Sequence, residues 1–281
     1  MDYLLQIILN TVVLAGIYSL LALGFNLLYS HNKFFDLSYA AYMLVGAYSY
    51  LFLSKTLENV NANILKSNEI LAGANSQNNV YLQWVSSFVI FLLAIAVAVL
   101  FSLVIEKYLY RKLREKKASG SVMMIASLGV LTVMQAIIAI LFSSNIQTLS
   151  AGSESISVSS VYFTYLQIYI VLGAIALYML TYFIMKKSKY GMRLRAVSDN
   201  EELAMASGIN INNIHIWTTA GASTIGAAIV IMYGMDTSID PYMGMSLLLK
   251  GVIVAIISRG DIWSDSAHTI ARDITLCRIT Q

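Results

Sequence analysis

The chain has 281 residues and a formal net charge of +3, and 58% of its residues are hydrophobic while only 12% are charged. Long stretches almost without charge argue against a soluble protein, whose helices are apolar on one face only. The single cysteine, Cys277, excludes an intrachain disulfide and any metal site built from several cysteines.

Seven weakly charged stretches, each near the ~20 residues that a helix needs to cross a bilayer, predict transmembrane helices. They are residues 3–29, 34–53, 80–105, 121–143, 161–185, 214–235 and 242–257, the last being the shortest. The chain begins Met-Asp-Tyr without a basic n-region, so the first stretch is expected to be a permanent span. The predicted fold class is all-α, a polytopic transmembrane helical bundle of about seven spans over residues 1–257. Small residues four apart in 220–228 predict close helix packing.

The distribution of basic residues predicts the orientation. Loops 106–120 and 186–213 contain eleven of the eighteen Lys and Arg residues, and short basic loops stay cytoplasmic. Loops 144–160 and 236–241 have no basic residue, which suits the outer face. The N-terminus is therefore predicted outside, the 54–79 loop outside and the C-terminus inside.

Ionisable groups inside a bilayer are costly and are functional candidates for that reason. Asp36 lies near the start of the second span, where it is either interfacial or functional. Lys250 lies in the middle of the seventh span, where a protein or water contact is expected rather than snorkelling alone. Asn26 is a polar residue of the first span that is either a hydrogen-bond partner of another helix or part of a path.

The chain lacks the sequence motifs of common enzymes. It has no phosphate-binding loop, no H-E-x-x-H and no G-x-S-x-G, and His31, His215 and His268 are scattered. We therefore expect no enzymatic activity, no bound metal or cofactor, and an ATPase on another polypeptide if transport uses ATP. The basic residues lie beside membrane spans, so they indicate topology and no nucleic-acid partner.

The stretch 190–208 combines charge with apolar flanks and predicts a short cytoplasmic helix over 199–207. Ser198 and Glu201 have the spacing of a capping box, and Gly208 offers a left-handed C-terminal stop. The helix is either a docking knob for a soluble partner or an amphipathic helix lying on the headgroups.

Three stretches resemble the permease subunits of branched-chain amino acid (LivH-type) and urea-type ABC importers. They are "YGMRLRAVSDNEELAMASGININ" (190–212), "GFNLLYSHNKFFDLSYAAYMLVGAY" (24–48) and "SIDPYMGMSLLLKGVIVAII" (238–257). The spacing Glu202, Ala204, Gly208 is similar to the coupling loop of that family. The resemblance implies a prokaryotic plasma (inner) membrane and four further subunits or proteins: a second permease, homologous or identical, two ATPases and an extracytoplasmic solute-binding protein.

Two sets of functional residues are expected. The ATPase-coupling set is Arg193, Arg195, Glu201, Glu202, Ala204 and Gly208, and the translocation-path set is Asn26, Asp36, Tyr39 and Lys250. The implied function is a permease subunit of an ABC importer for branched-chain amino acids or a related small polar solute.

The chain departs from this family at two places. Residues 36–40 read Asp-Leu-Ser-Tyr-Ala where the family has Asn-x-Ala-His-Gly, so the handling of the solute is open to change. Residues 258–281 form a polar tail that is not expected to span, where the family continues with a Gly-rich helix. We expect a truncation or a change of reading frame near residue 258.

Two alternatives stay open from the sequence. One is a secondary transporter in which Asp36 and Lys250 form an ion- or proton-coupled pair. The other is a membrane-embedded enzyme or scaffold, for which the chain offers no catalytic constellation.

Overall fold

A computed structural model describes residues 2–67, 76–143, 145–147, 155–158 and 161–257, and these residues are almost entirely helical. The long helices are α1 (Asp2–Asn32), α2 (Ser38–Ser67), α3 (Ser76–Ile105), α5 (Gly120–Phe142), α6 (Tyr165–Lys187) and α9 (Ile211–Asp236). The short ones are α4 (Arg111–Glu115), α7 (Lys189–Asp199), α8 (Glu201–Ala206) and α10 (Met243–Ile257). The prediction of an all-α membrane bundle is confirmed, with one small addition: strands β1 (Ser155–Val158) and β2 (Val161–Thr164) pair as an antiparallel hairpin.

Five helical segments in the described part of the chain are long and apolar enough to cross a membrane. They are Gln6–Asn32, Val85–Glu115, Gly120–Phe142, Gln167–Lys187 and Ile211–Asp236. The shorter α10 is apolar apart from Ser246 and Lys250, whereas α2 is apolar only in its first half and becomes polar from Lys55 onward. The count of seven spans and the orientation of the bundle stay predictions.

Helices α2 and α9 form the centre of the bundle. Residues 39–44 of α2 are almost completely buried, and α9 packs against α1, α2 and α3. The helices approach closely because small residues face each other: a Cβ built on Gly46 would lie 2.6 Å from the Cβ of Ala227. The close packing predicted for residues 220–228 is confirmed.

The outer helices show apolar side chains to their surroundings. Phe88 and Leu100 of α3, Ile140 of α5 and Leu172 of α6 are all more than half exposed. A lipid-facing surface has this character, because hydrocarbon solvates apolar side chains and no backbone polar group is left open on a helix.

The predicted loop 106–120 is wrong in extent, because α3 continues through a π-helical turn (Glu106–Tyr110) into α4. Charge alone suggested a loop, but Glu106 is buried and its charge is paired inside the bundle. The predicted loop 54–79 is likewise helical up to Ser67 and again from Ser76, since helices extend beyond their apolar segments. Residues 68–75 of that loop and the tail 258–281 lie outside the described residues.

Candidate functional site

The two ends of the bundle differ in the segments that connect the long helices. The basic end carries α4, α7 and α8, and here the last turn of α1 meets the first turns of α9. The far end carries a bridge between Gln147 and Ile239, to which the Lys55 ammonium adds a hydrogen bond of 2.8 Å on the Gln147 side chain.

Helix α7 is anchored to the basic end by one face. Ser188 caps its start by accepting from the Tyr190 N–H at 3.1 Å. Leu194 and Val197, three residues apart, are buried, and the Tyr190 hydroxyl lies 2.8 Å from the Thr218 hydroxyl of α9. A helix that buries residues at this spacing presents its other face outward.

Helix α8 begins at a different residue from the one predicted. Asn200 is the N-cap, and its side-chain oxygen accepts from the N–H groups of Glu202 at 3.0 Å and Leu203 at 3.2 Å. Asn200 has the extended backbone that an N-cap requires, with φ −151° and ψ 110°, whereas Ser198 still belongs to α7. The predicted Ser198–Glu201 capping box is therefore wrong, and the helix predicted over 199–207 covers 201–206.

Helix α8 ends as predicted, at a glycine in the left-handed region. Gly208 has φ +79°, a conformation that costs other residues energy. Its N–H donates to the Met205 carbonyl at 2.9 Å, and the Ile209 N–H donates to the Ala204 carbonyl at 3.1 Å. This pair of bonds is the Schellman motif, which satisfies the last carbonyls of the helix and turns the chain into α9.

The two helices α7 and α8, with the turn that ends α8, form an elbow (residues 189–208) that has a mixed apolar and charged surface. Leu203 and Met205 are 66% and 55% exposed, while Ala204 between them is buried and holds α8 in place. Glu201 and Glu202 are exposed beside them.

The elbow carries all six of the predicted coupling residues, the last of which, Gly208, ends α8. Arg193 is exposed on α7, and Arg195 is partly buried with its Nε donating to the Gly191 carbonyl at 3.3 Å. Both arginines were predicted on a loop and are found on a helix.

A buried ion pair that was not predicted from the sequence lies at the basic end of the bundle. Glu106 in the π-helical turn pairs with Arg114 of α4, and its other oxygen accepts from the Thr219 hydroxyl of α9 at 3.3 Å. The eight-residue spacing of Glu106 and Arg114 on one helix was a signal, but Thr219 lies 113 residues away. The pair ties the base of α3 to α9.

Asp36 belongs to a second buried group at the basic end. Its carboxylate accepts from the Tyr110 hydroxyl at 2.7 Å and from the Ser38 N–H at 3.0 Å. Asp36 is 1% exposed in the turn between α1 and α2, and the neighbouring Leu37 N–H donates to the Ser127 hydroxyl of α5 at 3.2 Å. These bonds join three helices through one turn.

The histidines His31 and His215, which look scattered in the sequence, meet in the fold. Their ring centroids are 3.8 Å apart, and both side chains are buried where α1 ends and α9 begins. In the part of the chain that the structure describes, no group of three or more His, Cys, Asp or Glu residues is placed to hold a metal.

The other predicted path residues lie at separate places. Asn26 is 9% exposed in α1, and Tyr39 is buried in α2, where its ring packs against Gly226 and its hydroxyl against Gly24. Lys250 is exposed on α10, and its ammonium donates to the Tyr18 hydroxyl at 3.3 Å.

Asp36 and Lys250 thus have different partners. The carboxylate is held by Tyr110 and Ser38, and the ammonium by Tyr18. The structure does not bring the two charges together as a pair.

Comparisons with known proteins agree with this architecture. The chain is 24% identical over 266 residues to the high-affinity branched-chain amino acid transport system permease protein LivH of Salmonella typhimurium, with 91% of this chain and 79% of the relative covered. The LivH protein of Salmonella typhi matches with the same identity and coverage. No solved structure matches. The model of the family described as branched-chain amino acid transport system / permease component matches residues 7–267. That match covers most of the chain, so the chain belongs to this permease family and is a multi-pass membrane transport subunit, not an enzyme.

Proposed function

We propose that this chain is the membrane-spanning permease subunit of an ABC importer for branched-chain amino acids or a related small polar solute. It would sit in the plasma (inner) membrane of a prokaryote with a second permease, homologous or identical. Two ATPase subunits and an extracytoplasmic solute-binding protein complete the transporter, and ATP is used by the ATPases.

The observation that carries the proposal is the exposed apolar tip of the elbow. Leu203 and Met205 point away from the bundle on a helix that Ala204, Asn200 and Gly208 hold in place. An exposed apolar pair with a charged rim has the anatomy of a protein interface, with an apolar centre surrounded by polar groups. Glu201 and Glu202 supply that rim.

The elbow is also connected to the core in a way that suits transmission of force. Gly208 leads after two residues into α9, the central helix, and α9 contacts the base of α3 through Thr219 and Glu106. A push on α8 when the ATPases close would move α9 against α1, α2 and α3, because close-packed helices move as units. The solute path would open to one side or the other by this motion.

Two substitutions on the elbow test the proposal. Glu202→Lys inverts a rim charge, and Gly208→Pro removes both the left-handed stop and the N–H bonded to Met205. We expect each to lower ATP-driven leucine uptake by at least about tenfold in cells that produce the complete transporter, as loss of a central interface contact does. Membrane levels of the chain should stay normal.

A matched control makes the same charge change away from the elbow. Glu115 is exposed at the basic end and pairs with Arg111 at 3.0 Å, so Glu115→Lys should leave uptake near the wild-type level. Normal uptake in both elbow variants would refute the coupling role of α8.

The secondary-transporter alternative has less support. It needs Asp36 and Lys250 as a coupled pair, and each is bonded elsewhere. Uptake that continues after deletion of the ATPase genes and collapses with an uncoupler would restore it.

A further inference from the structure

Lys250 is a charged side chain on α10, the helix that the sequence predicts as the seventh span. It occupies the middle of the fifteen-residue α10, roughly 10 Å from either end by the rise of a helix. The side chain is exposed on the bundle surface beside the exposed Leu249 and Ile253. In a helix that spans a bilayer, an ammonium at this position cannot face lipid cheaply and is expected to face water or an anion.

Three carboxylates of a second copy of this chain are unsuited to pair with Lys250. Glu106 is buried against Arg114, and Asp36 is buried against Tyr110. Asp236 is the last residue of α9, at the far end of the bundle. None of these three carboxylates is placed to pair with Lys250, so its counter-charge is expected from another source.

Tyr18 adds a second donor and fixes the position of the ammonium. The Lys250 Nζ lies 5.4 Å from the Tyr18 ring centroid, within the range of a cation–π contact. Because the Tyr18 hydroxyl accepts from Lys250 at 3.3 Å, its own O–H remains able to donate. An ammonium and a hydroxyl side by side match the two oxygens of a carboxylate.

Tyr18 and Lys250 lie beside a close contact between two helices. A Cβ built on Gly251, the residue after Lys250, would lie 3.0 Å from the Cβ of Leu21. Helices α1 and α10 therefore pack closely at this level, and the separation of Tyr18 and Lys250 is set by the scaffold. A site preorganised in this way loses little entropy when it binds.

We propose that Tyr18 and Lys250 form a site in the permeation path that binds the carboxylate of the transported solute. The inference rests on the proposed permease function and adds that the solute is an anion or a zwitterion. Urea and simple amides carry no negative charge and would leave the ammonium without a counter-charge.

Charged thiol reagents test the site without knowledge of the solute. The chain has one natural cysteine, so Cys277→Ser gives a background in which Tyr18→Cys is the single target. In vesicles containing the complete transporter, an anionic methanethiosulfonate should label Tyr18→Cys faster than a cationic one. Adding Lys250→Gln should lower the anion-to-cation rate ratio by about tenfold, because the nearby positive charge is removed. Lys250→Arg should keep the ratio high.

Two controls keep this experiment decisive. Ser246→Cys is exposed one turn from Lys250 and replaces Tyr18→Cys as the reporter if that variant fails to accumulate. Ser207→Cys is exposed on the elbow, and its rate ratio should not respond to Lys250→Gln. The proposal would be overturned if neither reagent labels the reporter cysteine. It would also be overturned if, with Lys250 present, the anion-to-cation rate ratio of the reporter is near that of Ser207→Cys.

Leucine uptake then separates this site from the proposed function. Lys250→Gln should lower leucine uptake at least tenfold below the wild-type level. Lys250→Arg should keep most of that uptake. Wild-type uptake that Lys250→Gln leaves intact would refute the carboxylate site alone. Absence of ATP-driven leucine uptake in the wild type would refute leucine as the transported solute, while the labelling ratio would still report the site.

Discussion

At the residue scale, the start of α8 depends on the side chain of Asn200. Its oxygen accepts from two N–H groups that would otherwise lack partners in the helix, those of Glu202 and Leu203. Ser198, two residues earlier, is partly buried in the last turn of α7 and makes no comparable bond to α8.

We predict that Asn200→Ala weakens α8 and that Ser198→Ala does not. Loss of an N-cap costs about 1 kcal/mol, so amide hydrogen exchange in residues 201–206 should accelerate about fivefold in the Asn200 variant. Equal acceleration in the two variants, or a larger effect of Ser198→Ala, would show that the capping box operates after all.

At the scale of elements, the π-helical turn joins α3 to α9 through a buried charge. Glu106 is 1% exposed, and the Arg114 side chain is 20% exposed. Removing one partner leaves a buried charge unpaired, whereas removing both leaves none.

We therefore predict that Glu106→Gln lowers the free energy of unfolding by about 3 kcal/mol, as broken buried pairs do. The double variant Glu106→Leu/Arg114→Leu should lose clearly less than the sum of Glu106→Leu and Arg114→Leu alone. Denaturant unfolding of the purified protein measures all four. Strictly additive losses would mean that the two side chains do not act as a pair.

The same turn shows why the sequence predicted some elements and missed others. The apolar stretches predicted the helices because the hydropathy of a segment can be read from its own residues. Gly208 predicted a helix end because a glycine at that position adopts the left-handed conformation that ends a helix. Charge density placed a loop at 106–120, yet Glu106 and Arg114 neutralise each other inside a helix.

Partners distant in the chain were out of reach of sequence reasoning. Thr219 contacts Glu106 across 113 residues, and His31 meets His215 between the end of α1 and the start of α9. The capping residue was missed for a local reason: Ser198 and Asn200 are both good N-caps, and only the backbone angles distinguish them. Tyr18 gave no signal at all, because only the packing of α1 on α10 brings it to Lys250.

At the scale of the whole molecule, three regions have different physical roles. Helices α2 and α9 form a packed centre, α3, α5 and α6 expose apolar side chains as a lipid-facing surface does, and the basic end carries the elbow. The elbow is the part of the described chain where exposed apolar residues sit on a short helix among charges, outside the long helices. Such a patch is expected to be covered by another protein.

The most direct test of the account places a photocrosslinking amino acid at Leu203 in the complete transporter. A matched control places it at Ile125 of α5, which is 70% exposed on the outer surface of the bundle. We predict that light produces a covalent adduct with the ATPase subunit from position 203 and none from position 125. A complete transporter that hydrolyses ATP and takes up solute, yet gives no ATPase adduct from position 203, would contradict the assignment of α8 as the coupling element.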